Sequence, residues 1–371
     1  MKPFNLIDTS NGGSVKNDIL SGLTVALALV PEAVAFAFVA GVSPIVGLYG
    51  AFIMGLITSV FGGRPGMISG ATGAMAVVMV SLVSEGNTLG GFENAGLQFL
   101  FVTLILTGAL QVAAGVLRLG KFVRMIPHSV MMGFVNGLAI VIFLSQLSMF
   151  KTNGEWLSET ALYIMLGLVA LTMILMVVMP YVTKKIPAPL TAIVVVSLLV
   201  IFGNLETETV GSFVVSNGGE GIQAGLPTFQ IPLIALSLDN FLFILPYAII
   251  LAAIGLIESL MTLTLIDELT DSHGSGNREC AAQGFGNILN GFFGGMGGCA
   301  MIGQSIINIK SGGRGRLSGI TASVALLGFI LFGSSYIEQV PIAALVGVMF
   351  MVVIGTFAWN TFRIWNKVPK A

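Results

Sequence analysis

The stretch FGGRPGMISGATGAM at 61–75 returns in altered form as FGGMGGCAMIGQS at 293–305, and the reading of this pair decides the fold. Both segments open on Phe-Gly-Gly, both hold five glycines, and both interrupt strongly apolar sequence. Each glycine costs a helix interior roughly 1 kcal/mol relative to alanine, so neither segment can sustain a regular helix along its whole length.

The surroundings are those of a membrane protein. Of 371 residues, 55% are hydrophobic and 9% charged, and the mean hydropathy is +0.97. Soluble domains carry roughly 25% charged residues. The apolar runs repeatedly approach the roughly 20 residues a helix needs to cross a bilayer, and they lack the alternation of a membrane barrel. The chain is therefore expected to be an all-α polytopic membrane protein, with the lipid bilayer as its first partner. No nucleic-acid partner is expected. The first apolar run, 19–40, carries Pro31 and Glu32 with no small-residue cleavage site behind a compact apolar region, so it reads as a retained helix. Cys280 and Cys299 stand apart from any CxxC or histidine cluster, which indicates neither a disulfide framework nor a metal centre. No nucleophile and base pair is apparent at membrane depth, so an enzyme is not expected.

Apolar windows set against Gly, Pro and charge place spans near 19–40, 44–61, 72–84, 97–117, 127–149, 160–180, 187–203, 240–266, 280–293, 301–309, 317–334 and 342–358. The segments 72–84 and 301–309 are too short, covering about 20 and 13 Å as helix against roughly 30 Å of hydrocarbon. Threading the chain with its N-terminus in the cytoplasm puts every Lys and Arg except Lys151 on the inner side, as the positive-inside rule requires. The C-terminus then also lies inside. The linker 203–239, with Glu206, Glu208, Glu220 and Asp239 and no basic residue, falls outside and divides the chain into two halves.

In this threading the first short segment enters from inside and the second from outside. Short, glycine-interrupted segments at corresponding positions of two halves mark an inverted repeat and point to a transport site at the midplane. Two half-helices that begin there offer unpaired backbone N–H groups and positive dipole ends to an anion. The alternative is ordinary glycine-mediated helix packing. Glu32 and Glu258 are the acids inside apolar spans, and lipid exposure would be costly for both. In GLIESLMTLTLIDE, Thr262 follows Glu258 by one turn on the same face, so a carboxylate and a hydroxyl can converge on Na⁺ or H⁺. Each acid also has a plain reading, Glu258 as a satisfied buried carboxylate and Glu32 as a cap for backbone freed by Pro31. GFGNILNG at 284–291 lacks dinucleotide-loop spacing and reads as close helix packing. His128, beside Pro127, reads as structural.

At these same residues the sequence resembles the sulfate permease (SulP) family. The resemblance runs over nearly the whole chain, through ALALVPEAVAFAFVAGVSPIVGLYGAF at 26–52, GGRPGMISGATGAMAVV at 62–78, IPHSVMMGFVNGLAI at 126–140, GLIESLMTLTLIDELT at 255–270 and CAAQGFGNILNGFFGGMGGCAMIGQSIINIKSGGRGRLSG at 280–319. It implies a seven-plus-seven inverted-repeat transporter fold, of which about twelve segments are present here. It further implies a substrate-carrying core domain (19–125 and 239–335) that moves like an elevator, and a gate domain (126–238 and 336–371) that mediates homodimerisation, after a cytoplasmic N-terminus at 1–18. The family's anion contacts fall on Glu32, Phe36, Ala71, Thr72, Gly73, Met301, Ile302, Gly303 and Gln304, and its acidic position for cation coupling falls on Glu258, with Thr262 beside it as a possible Na⁺ ligand.

Three departures shape what the resemblance implies. Family members commonly carry glutamine where Glu32 stands, and an added acid there suggests a coupling proton or altered selectivity. Many carry arginine where Gln304 stands; sodium-dependent bicarbonate transporters of the family lack it. The loss of that fixed charge favours cation-coupled symport. The chain also ends at Ala371, before two further helices and a STAS domain, so the gate domain is expected to be incomplete. The expected function is secondary active transport of sulfate or bicarbonate in the plasma membrane, coupled to Na⁺ or H⁺ and needing no other cofactor. An anion channel or exchanger of the same family, and a nucleobase or ascorbate carrier of the same fold, are the alternatives.

Overall fold

The computed structural model of the chain describes residues 14–92, 94–121, 128–152, 155–182, 187–216, 225–234, 237–359 and 361. The first half contains α1 (Val15–Val39), α2 (Pro44–Phe61), β1 (Ser69–Ala71), α3 (Gly73–Gly90) and α4 (Ala95–Val116). A middle section follows, with α5 (His128–Leu147), the hairpin of β2 (Lys151–Thr152) and β3 (Glu155–Trp156), α6 (Glu159–Val182), α7 (Ala188–Gly203) and the short α8 (Val210–Ser216). The second half contains α9 (Leu238–Thr270), α10 (Gly276–Phe293), β4 (Gly298–Ala300), α11 (Ile302–Lys310) and α12 (Arg316–Phe332), then the short α13 (Ser334–Glu338) and α14 (Ile342–Thr356). Among the described residues, α1, α2, α4, α6 and α9 are long and apolar enough to cross a bilayer, and α7, α12 and α14 are shorter apolar helices.

The two Phe-Gly-Gly segments occupy matching places. α2 and α10 are both 18 residues long, and each ends on the phenylalanine of its segment with glycine as the next residue. A strand follows in each half. β1 and β4 pair antiparallel, Ser69 with Ala300, Gly70 with Cys299 and Ala71 with Gly298, so the two halves run in opposite senses where they meet. This is the seven-plus-seven inverted-repeat arrangement, with α3 and α11 leaving the strand pair in opposite directions.

Extended backbone inside an apolar bundle survives only if its polar groups find partners. Side chains supply them. The Asn287 amide donates to the Gly298 carbonyl (3.0 Å) and its oxygen accepts from the Gly298 N–H (3.0 Å). Ser259 Oγ accepts from the Ala300 N–H, Ser305 Oγ from the Ile68 N–H, and Asn290 donates to the Met296 carbonyl. These polar residues of α9, α10 and α11 are fully buried around the crossing.

One segment is longer than its composition implied. α3 continues to Gly90, about 27 Å at 1.5 Å per residue, whereas α11 has nine residues and about 14 Å. The polar run after Ser84 remains helical because Asn87 Oδ1 accepts the Gly96 N–H at 2.7 Å and Gly86 packs on Gly96 and Phe99. Gly91, at φ +65°, then ends the helix.

Three of the basic residues expected on one side, Arg64, Arg278 and Arg316, make contacts with α2 and α9. Arg64 pairs with Asp267 (2.9 Å), Arg278 donates to the Phe61 carbonyl (2.7 Å), and Arg316 donates to the Ser59 and Gly62 carbonyls (2.9 and 2.7 Å). Arg278 and Arg316 satisfy the negative C-terminal end of α2, while Arg64 is held by the C-terminal part of α9. Asp18 accepts the N–H groups of Arg314 and Gly315, tying α1 to the start of α12. Lys151 lies on the β2–β3 hairpin with its Nζ 4.8 Å from the Trp156 ring centre. Lys2, Arg124, Lys184, Lys185, Arg363, Lys367, Lys370 and Glu220 lie outside the described residues, as does the His128 side chain.

Helices α1–α4 and α9–α12 pack into one group, and α5–α7 with α14 into a second. In the first group α4 and α10 approach closely. A Cβ at Gly108 would lie 2.3 Å from the Gly284 carbonyl, and one at Gly291 would lie 2.5 Å from the Phe101 carbonyl. GFGNILNG is therefore a helix-packing face, as its spacing suggested.

Candidate functional site

A cavity of about 400 Å³ opens between the two helix groups, against the β1–β4 crossing. The first group supplies Glu32 and Phe36 from α1, Thr72 and the start of α3, Glu258 and Met261 from α9, and Met301 with the first turns of α11. The second group supplies the opposite wall, Val135 and Ile142 from α5 and Val352, Gly355 and Thr356 from α14.

Why anions suit this place follows from the helix ends. The first hydrogen bonds inside α3 and α11 run from Ala76 to Thr72 and from Ser305 to Met301, which leaves the earlier N–H groups without helical partners. Neither N-cap residue, Thr72 or Met301, makes a side-chain cap. Gly73 is required by close approach, since a Cβ there would lie 2.6 Å from the Phe36 ring. Gly303, in contrast, faces open space. Gln304 is the source of the only side-chain nitrogen among the described lining residues, and its amide donates to the Glu32 carboxylate.

Beside the helix ends lies a group of oxygens and one sulfur. Glu258 Oε2 accepts from the Cys299 thiol at 3.0 Å, and Cys299 Sγ is 3.1 Å from Thr72 Oγ1. Thr262 is fully buried behind the cavity wall, with its hydroxyl donating to the main-chain carbonyl of Glu258 (2.8 Å) rather than meeting the carboxylate. The Ala300 carbonyl, 3.5 Å from Thr262 Oγ1, is a second and more distant acceptor for the same hydroxyl. Groups of three or more His, Cys, Asp or Glu able to hold a metal ion are absent among the described residues.

Of the residues singled out in the sequence, Glu32, Phe36, Thr72, Gly73, Glu258, Met301, Ile302, Gly303 and Gln304 line the cavity together. Ala71 does not; it is buried in β1 opposite Gly298. Sequence reasoning missed Cys299, set aside for want of a metal or redox motif, although it lies inside the glycine segment already chosen. It also missed the wall from α5 and α14, whose apolar residues look like any other lipid-embedded helix. A larger cavity of about 480 Å³, bounded by α1, α7, α12 and α14, has a mostly apolar lining without a charged group among the described residues.

Residues 15–155 and 148–370 match the sequence pattern described as the Sulfate permease family. The chain is 46% identical over 357 residues to YbaR of Bacillus subtilis, named as a candidate sulfate transporter, and the match covers 96% of this chain and 70% of YbaR. It is 32% identical to the bicarbonate transporter BicA of Picosynechococcus, over 96% of this chain and 64% of BicA. The solved transmembrane domain of a cyanobacterial BicA superposes with a TM-score of 0.83 at 31% identity, covering 97% of this chain and 93% of that domain.

Proposed function

The chain belongs to the sulfate permease family, and from that premise we propose that it carries a small inorganic oxyanion, sulfate or bicarbonate, by cation-coupled secondary active transport. The observation that carries the proposal is the meeting of two uncapped helix N-termini on a cavity without a lysine, arginine or histidine among its described lining residues. The N–H groups of α3 and α11 hold the oxyanion through donors and dipoles that need no reorganisation. With no fixed positive charge, the balance is supplied by a co-transported Na⁺ or H⁺ at Glu258. For Na⁺, Thr262 Oγ1 and the Ala300 carbonyl are the neighbouring ligands.

The position of the cavity supports alternating access. The proposed anion and cation groups belong to the α1–α4 and α9–α12 group, while α5 and α14 contribute a wall that is apolar apart from Thr356. We assign the first group as the moving core and the second as the gate, in an elevator motion in which the site slides along that wall. The gate is also the proposed face for a homodimer, in a plasma membrane with both termini cytoplasmic.

Purified protein in liposomes tests this. Uptake of labelled sulfate or bicarbonate should rise with an inward Na⁺ or H⁺ gradient; anion current that is indifferent to either cation would point to a channel and sink the symport reading. A second result is expected at Gln304. Gln304→Arg places a permanent cation at the α11 terminus, next to Glu32, and should reduce the dependence of anion half-saturation on cation concentration by roughly tenfold. Retention of the full cation dependence in that variant would contradict the charge-balance argument.

A further inference from the structure

Cys299 stands between the two halves of the proposed site. Its sulfur is 3.0 Å from Glu258 Oε2 on the cation side and 3.1 Å from Thr72 Oγ1 on the anion side. Thr72 is the N-cap of α3 and makes no capping bond to its own helix, so its hydroxyl is available to this contact and to the cavity. The thiol itself is fully buried, on the central residue of β4, paired with Gly70, and it is outside the cavity lining. Coupling between two ligands requires a shared element with two arrangements that each ligand biases.

From this geometry we infer that Cys299 is the positioning residue that couples cation binding to anion binding, by reversing the direction of the hydrogen-bond chain Thr72–Cys299–Glu258. The inference rests on the symport reading above. A thiol has one proton and can donate to one neighbour at a time. With Glu258 free of a cation, the S–H points at the carboxylate, and the Thr72 O–H donates to the sulfur. The Thr72 proton is then engaged and only its oxygen lone pairs remain for the cavity, which repels an oxyanion. A cation on Glu258 takes over the carboxylate lone pairs. The S–H then turns to donate to Thr72 Oγ1, and the Thr72 O–H is released to donate to the anion beside the α3 N–H groups. No bond other than hydrogen bonds is made or broken, and no proton leaves its heavy atom. By reciprocity, a bound anion that accepts from Thr72 favours the arrangement in which Glu258 is open to a cation.

The same contact explains why serine and alanine should behave differently at position 299. Serine keeps one rotatable donor with two acceptor lone pairs, whereas alanine removes the link and leaves Thr72 and Glu258 to titrate their ligands independently.

The test is the ratio of anion half-saturation constants at limiting and saturating Na⁺, with labelled sulfate or bicarbonate, in proteoliposomes. The wild-type protein should give a ratio in the 5–150-fold range typical of coupled sites. Cys299→Ala should bring that ratio to below about threefold while the maximal rate at saturating anion and Na⁺ stays within a few-fold of wild type. Cys299→Ser should retain most of the ratio, and Thr72→Val should lose it to the same degree as Cys299→Ala, with no further loss in the double variant. A merely structural role would lower rate and thermal stability in both Cys299 variants without changing the ratio, and that result would overturn the inference. So would a wild-type ratio in Cys299→Ala. Absence of any effect of either Na⁺ or a proton gradient in the wild-type protein would instead remove the symport reading, and this inference with it.

Discussion

Glu258→Gln is expected to abolish cation-dependent anion uptake, by a factor on the order of 10² or more, while leaving the protein folded. The carboxamide keeps the shape of the side chain and an oxygen that can accept from the Cys299 thiol. What it removes is the negative charge, which is the main attraction for the proposed cation beside the Thr262 and Ala300 oxygens. In a half-buried position a lost charge of this kind is worth several kcal/mol, and each 1.4 kcal/mol is tenfold in affinity. Uptake by proteoliposomes under a Na⁺ gradient and a thermal melt of the same preparation are the two measurements. Undiminished Na⁺-driven uptake in a stably folded variant would exclude Glu258 from coupling.

Gly298→Val should produce the second large effect, on both stability and transport. A Cβ at position 298 would lie 2.2 Å from the Gly70 carbonyl oxygen and 2.9 Å from the Met54 side chain, so β4 cannot keep its place opposite β1. Overpacking of this severity costs about 3 kcal/mol, which should lower the melting temperature by at least several degrees. The transport loss should be larger, roughly 10²-fold, because the strand pair fixes where the N-termini of both α3 and α11 stand and small misplacements of binding groups are amplified in rate. Gly303→Ala is the contrast. Nothing lies within 4 Å of a Cβ there, so the melting temperature should stay at the wild-type value while the cavity narrows by a methyl group. Equal thermal losses in the two variants would mean that the strand pair is not the constraint described here.

Much of the fold was legible because bilayer physics leaves few options. Apolar length set the helix bounds to within a few residues at most ends, and the sorting of basic residues gives the expected number of crossings. The correspondence of the two Phe-Gly-Gly segments located the crossing itself. Extent was less readable. Ser84, Glu85 and Asn87 look like the end of a span, yet they continue α3 because tertiary packing with Gly96 and Phe99 supports the helix there. For the site, intramembrane acids and glycine-rich backbone carry a cost that makes them conspicuous, so Glu32, Glu258 and both helix starts could be chosen from sequence. Cys299 could not, because its place depends on a strand register that brings it between Thr72 and Glu258 from distant parts of the chain. The apolar wall of α5 and α14 was equally silent, since a valine facing a cavity and a valine facing lipid read alike.

The β1–β4 ladder also dictates an order of assembly during biosynthesis. Ser69 and Ala300 are about 230 residues apart, so β1 must enter the bilayer long before its partner is synthesised. Through that interval the backbone groups of Ser69–Ala71 have no strand to pair with, in a medium that supplies no hydrogen bonds of its own. The first half is therefore expected to keep an open edge, packed on α1, α2 and α4, until β4 arrives with Asn287 and Asn290 of α10. Chains arrested after α9 should accordingly be targets for membrane quality control, and the cavity proposed for transport should be among the last parts of the molecule to form.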